Sequence, residues 1–207
     1  VQKYLDSLLF GFHVIFHPFD GFWDLKREKR GTLKAALTFI VLTICMYTIE
    51  KQNTGFLFNT NRLEEVNVFV DIITVGLMFV LWCVSNWCLT SLMDGEGRMR
   101  DIAIYTAYAV IPLLIIQFPL VGVSHFITLE EGTFYYVFRN ISYIWALALL
   151  LAGMSQTHQY SMKKTLFTTL LTLLGMMIIT FIALLFFSVL NQIFVFVLSV
   201  YKEIRFR

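Results

Sequence analysis

Charge is what this sequence has least of. Only 14% of its 207 residues are Asp, Glu, Lys or Arg, against about 25% in an average soluble domain. Proline and cysteine are equally scarce, at three each. The cysteines, Cys45, Cys83 and Cys88, form no CxxC or Cys/His cluster, so neither a zinc site nor a redox pair is indicated. All three fall in apolar stretches and read as small buried apolar side chains. The net charge of +2 is too small to point to nucleic acid.

Catalytic signatures are missing as well. A zinc protease needs HExxH on a helix, and a serine hydrolase needs a flanked nucleophile such as GxSxG; neither occurs. Glu130 and Glu131 precede Arg139, but at the wrong spacing for the EExxxR pattern of membrane proteases. No Walker motif is present, so any nucleotide-driven role requires another subunit. The chain reads as non-enzymatic and as needing no cofactor.

What the sequence does have is apolar length. Five stretches run over Thr32–Ile49, Phe69–Leu92, Ile102–Ile127, Phe134–Ser155 and Leu166–Val200. About 18 apolar residues suffice for a helix to cross the ~30 Å hydrocarbon core. The expected fold is therefore all-α: one polytopic membrane bundle over residues 1–207, with five transmembrane helices. Residues 1–31 form a cytoplasmic or interfacial segment. Within it, Tyr4, Leu5, Leu8, Leu9, Phe12, Ile15 and Phe16 recur at helical spacing, which predicts an amphipathic helix in the membrane interface. Pro18 ends it.

Basic residues orient the bundle. Lys26, Arg27, Lys29 and Arg30 precede the first span, and the positive-inside rule puts that end in the cytoplasm. Lys3, Lys34, Arg98, Arg100, Lys163 and Lys164 fall on the same side; Lys51, Arg62, Lys202, Arg205 and Arg207 fall on the other. Five spans then leave the C-terminus outside, in a plasma membrane of bacterial type. The fifth stretch overshoots the bilayer. It reads as one tilted helix, crossing over about 166–192 and extending to 200, with a bend near Asn191–Gln192. Its projecting apolar end should touch lipid headgroups or a partner protein.

Polar residues inside apolar territory are the candidate sites. Asp71 and Arg139 lie at similar depth, near the outer ends of the second and fourth spans, and pairing them would relieve the cost of burying either charge. Such a pair serves as an ion-path switch or as a static strut. Asn86, between Trp82 and Trp87, is expected to bond a neighbouring helix. Pro112 and Pro119 interrupt the third span. The loop Asp94-Gly95-Glu96-Gly97 has two glycines that permit a tight turn, but lacks the oxygen ligands of a calcium loop. It faces the loop that carries His158. With Asp20 and Asp24, these residues make an inner polar surface for docking.

Ala107-Tyr108-Ala109-Val110-Ile111-Pro112, in the third span, resembles the GYxLLP motif of the Yip-domain membrane proteins (Ypt-interacting proteins), with Ala in place of Gly. The stretch from His17 to Gly31 and the Leu92–Gly97 loop are similar to the short bacterial members, and the resemblance covers nearly the whole chain. It implies a five-span membrane protein, with Tyr108 and Pro112 as further interaction residues. Eukaryotic members bind Rab-type GTPases through a long cytosolic tail. Only about 31 residues precede the first span here, so GTPase binding is not carried over. The partners implied are the bilayer and other membrane proteins, including transporter subunits. Three roles follow: a scaffold or accessory subunit of a membrane complex, a permease-type subunit energised by a partner, or a membrane-shaping protein.

Overall fold

The computed structural model describes residues 2–59 and 66–205. Arg62 and Arg207, which enter the charge balance, lie outside them. All regular structure among the described residues is helical: α1 (Gln2–Phe16), α2 (Pro18–Arg27), α3 (Leu33–Asn53), α4 (Val68–Leu92), α5 (Met99–Ala109), α6 (Ile111–Val123), α7 (Gly132–His158) and α8 (Met162–Arg205). Five stretches are long and apolar enough to cross a membrane: α3, α4, the α5–α6 unit, α7 and α8.

The N-terminal helix forms as expected, but Pro18 does more than end it. Pro has no N–H, and the first turn of a helix needs none there, so Pro18 starts α2 directly after His17. α1 packs against α2, α3, α5 and α6. Its inner face is small: Gly11 sits so close that a Cβ would fall 2.7 Å from Ile111 Cδ1. Its outer face keeps Leu5, Leu9, Phe12 and Phe16 more than half exposed, an apolar surface suited to lipid.

The third span is two helices in series. Pro112 cannot donate to the Tyr108 carbonyl one turn back, and the chain breaks at Val110. Pro119 lies inside α6 without dividing it. This span is the centre of the bundle: Ile102, Tyr105 and Tyr108 are essentially inaccessible. Around them pack Phe22 from α2, Ala35 and Phe39 from α3, Cys83 from α4 and Leu149 from α7. Cys45 and Cys88 are exposed, so only Cys83 fits the buried reading.

Two helix ends run past the apolar stretches. α3 continues through Glu50–Asn53, and α8 starts at Met162. α8 spans 44 residues, about 66 Å at ~1.5 Å per residue. It remains helical through Asn191–Gln192. Its first part packs on α4 through Thr165, Thr168, Thr169 and Thr172, each hydroxyl donating to the carbonyl four residues back. Small and hydroxylated residues let two membrane helices approach closely. Asn86 donates to Thr172 Oγ1 at 3.4 Å and Ser85 to the Thr172 carbonyl at 2.8 Å. From Thr180 to Arg205 every residue is exposed. Counted antiparallel from the Ser85–Thr172 contact, Val68 at the start of α4 comes level with Val189.

Candidate functional site at the basic end of the bundle

Three loops and α2 meet at one end of the bundle. α4 ends at Leu92, and Asp94 takes up the left-handed backbone conformation at φ 57°. The strain of the turn thus falls on Asp94. The glycines that follow have negative φ and serve a different need, close approach. A Cβ on Gly95 would lie 2.6 Å from His158 Nδ1, and one on Gly97 would lie 2.6 Å from His158 Cε1. The two glycines let the loop lie flat on the imidazole.

His158 closes α7 and is buried. Its Nδ1 accepts from the Gly97 amide at 3.3 Å, and its ring stacks on Tyr160. Tyr160 in turn donates to the Met93 carbonyl at 2.9 Å. Burial first, and then the Asp94 carboxylate, raise the Tyr160 phenol above its usual value, so it stays a protonated donor. Lys164 also donates to the Met93 carbonyl, at 2.8 Å, and covers the Tyr160 ring. Lys26 of α2 completes the weld. It donates to the Thr157 carbonyl at 2.6 Å and to Glu96 at 3.2 Å. Arg27 reaches the same Glu96 oxygen at 3.3 Å, an exposed contact of small worth.

The expected docking residues therefore divide. Asp94 and Glu96 are exposed and Asp20 lies on the outside of α2, while Asp24 is partly covered. His158, Tyr108 and Pro112 are buried and cannot meet a partner directly. Tyr108 is an internal lock. Its hydroxyl donates to the Ser7 carbonyl at 2.8 Å and lies 2.8 Å from Ser7 Oγ. Ser7 Oγ accepts from the Thr32 amide at 3.1 Å, at the start of α3. One side chain thus ties α1, α3 and α5 together.

At the opposite end, Asp71 and Arg139 do not pair with each other. Asp71 accepts from Lys51 at 2.6 Å, and Arg139 meets Glu50 at 3.0 Å. The reason is the extension of α3. Consecutive helical residues point about 100° apart, so Glu50 and Lys51 reach different neighbours, α7 and α4. Ser124 Oγ also accepts from the Gly55 amide at 2.8 Å, and Phe58 stacks on Tyr135. Tyr160, Ser7 and Glu50 were not singled out from the sequence, and Lys26, Lys51 and Lys164 entered only the charge balance. Only the adjacent opposite charges of Glu50 and Lys51, at the edge of an apolar run, could have signalled a role.

Between these ends lies a cavity of about 380 Å³ lined by residues of α3, α4, α5, α6, α7 and α8. Phe79, Trp82, Leu114 and Met176 line it, with Glu50 and Gln117 contributing polar groups. Gln117 is bound to Ser142 at 3.0 Å. Asn86 and Tyr108 lie outside it, engaged with Thr172 and Ser7. Among the described residues no three His, Cys, Asp or Glu side chains gather as metal ligands.

Comparison with curated proteins and with solved structures finds no match. The family profile of the Yip1 domain matches residues 12–185, from α1 through the first half of α8. With five membrane-crossing helices and a family match over most of its length, the chain is a multi-pass membrane protein belonging to the Yip1 domain family.

Proposed function

We propose that this protein is a non-enzymatic membrane scaffold, an accessory subunit that binds other membrane proteins through the free half of α8. One observation carries the reading. From Thr180 to Arg205 α8 is exposed on every face, yet it remains helical and apolar to Val200. Positions 190–205 add about 24 Å beyond the level of Val68. At 44 residues α8 is long for one bilayer, and its second half is exposed where its first half packs on α4.

A permease role is less well supported. The central cavity is mainly apolar; its Glu50 and Gln117 are engaged within the bundle, and two lone groups, Trp82 Nε1 and Thr106 Oγ1, are buried there without a hydrogen-bond partner among the described residues. A path for a polar solute needs free polar groups converging at mid-membrane. Lys26, Lys164, Arg98 and Arg100 gather at one end of the bundle, which supports a cytoplasmic placement of that end in a bacterial plasma membrane.

Photocrosslinking tests the proposal. A benzophenone side chain at Phe187 or Phe194 should give a discrete protein adduct in native membranes, and one at Val80 on α4 should give lipid adducts alone. Lipid adducts from all three positions would sink the scaffold reading.

A further inference from the structure

A second feature of the basic end is independent of α8. A cleft of about 430 Å³ opens between the end of α2 and the start of α5, in the size range of small-molecule sites. Lys26, Arg27, Lys29, Arg98 and Arg100 surround it, with Glu96 and Asp101 as the acidic members. Both acids are already occupied. Glu96 takes Lys26 and Arg27, and Asp101 accepts from the Arg98 amide at 3.1 Å.

The side chains of Lys29, Arg98 and Arg100 form no ion pair with any described residue, and all three residues are exposed. The floor beneath them is rigid and apolar. Leu25 and Ile104 are buried, and Gly31 packs so tightly that a Cβ would lie 2.7 Å from Ile104 Cγ2. Next to the lining in the chain, Leu33 follows Gly31 by two residues and Met99 stands between Arg98 and Arg100, and both stay exposed. Leu33 and Met99 are also the first residues of two spans. The cleft therefore lies where the helices enter the membrane, with cations above and apolar side chains beside it.

We infer that this cleft binds the phosphate of an anionic phospholipid headgroup. Arginine suits phosphate because its planar fork can donate two parallel hydrogen bonds. Basic pockets at the membrane surface are the general means by which helices hold such headgroups. These apolar neighbours favour the lipid over a soluble phosphate, because a lipid alone brings chains to cover Leu33 and Met99.

Native mass spectrometry of the full chain, released from mixed phosphatidylglycerol and phosphatidylcholine, tests this. The natural protein should retain phosphatidylglycerol about tenfold over phosphatidylcholine, and the combined Lys29→Gln, Arg98→Gln, Arg100→Gln variant should lose that preference. Lys202→Gln with Arg205→Gln, at the far end of α8, should keep it. Equal retention by natural and triple-variant protein overturns the site, as does equal loss in the α8 control. A soluble arm adds inorganic phosphate to protein in phosphatidylcholine nanodiscs. Thermal stabilisation by sub-millimolar phosphate, without any phosphatidylglycerol preference, would overturn the lipid assignment. The natural protein should also lose its preference as salt rises from 50 to 500 mM; a salt-independent preference argues against a charge-built site even if the triple variant fails to fold.

Discussion

Tyr108→Phe should loosen α1 while leaving the five spans assembled. The substitution removes one oxygen and almost no volume. That oxygen is the donor for the Ser7 carbonyl and a partner of Ser7 Oγ, and both residues are about 1% exposed or less. The Ser7 carbonyl keeps its helical bond from the Gly11 amide, so the loss is that of one further hydrogen bond, about 0.5–1.5 kcal/mol. The cost falls on the docking of α1, because Tyr108 keeps its ring packed against Phe39. A loss of that size multiplies the undocked population by roughly 2- to 13-fold. The assay is maleimide labelling of Val14→Cys, with Cys45, Cys83 and Cys88 replaced by alanine. Val14 is fully buried on the inner face of α1, so it reacts only from the undocked state. Labelling should accelerate by that factor in Tyr108→Phe. Ser7→Ala should have a smaller effect, since Tyr108 can still donate to the backbone. The double variant should fall short of the sum of the two, because both act on one network. Unchanged labelling in Tyr108→Phe, with a clear increase in a Phe39→Ala control, would refute the lock.

At the other end, Asp71→Ala should destabilise the bundle by about 3 kcal/mol, since it strands the Lys51 ammonium against α4. Thermal unfolding in detergent would show the loss, with partial recovery in Lys51→Asp combined with Asp71→Lys and none in Asp71→Arg combined with Arg139→Asp. Gly95→Ala and Gly97→Ala should each make the loop cleavable by trypsin at Arg98 and Arg100. His158→Ala should offset part of that by making room, and cleavage unaffected by Gly97→Ala would mean that the ring does not hold the loop. Ser85→Ala should weaken the α4–α8 contact by about 1 kcal/mol, read as a lower yield of a disulfide between Met93→Cys and Thr168→Cys.

The spans were legible because apolar length alone decides whether a helix can cross hydrocarbon. Their ends were less so. Glu50–Asn53 continue α3 because Glu50 and Lys51 find Arg139 and Asp71 on neighbouring helices, and no local pattern reveals a neighbour. The same ignorance produced the Asp71–Arg139 pairing, since equal depth does not establish adjacency. His158 and the Gly95–Gly97 loop were set face to face, and they touch because both lie at the same end of the bundle. Their burial was not visible, for it depends on α2 folding over them. Pro18 carried two meanings, stop and start, and only the packing of Phe22 and Leu25 against α5 decides for the second helix.

The Tyr108 lock joins residues a hundred positions apart. Ser7 and Thr32 are both made, and the first span is ready to insert, well before their partner leaves the ribosome. During synthesis α1 can pack on α2 through Val14 and Gly21, but its tie to Tyr108 must wait through two further spans. Assembly of this protein is not strictly N- to C-terminal. The earliest helix is among the later ones to be set in place, and a substitution at Tyr108 would be felt first as a delay in maturation.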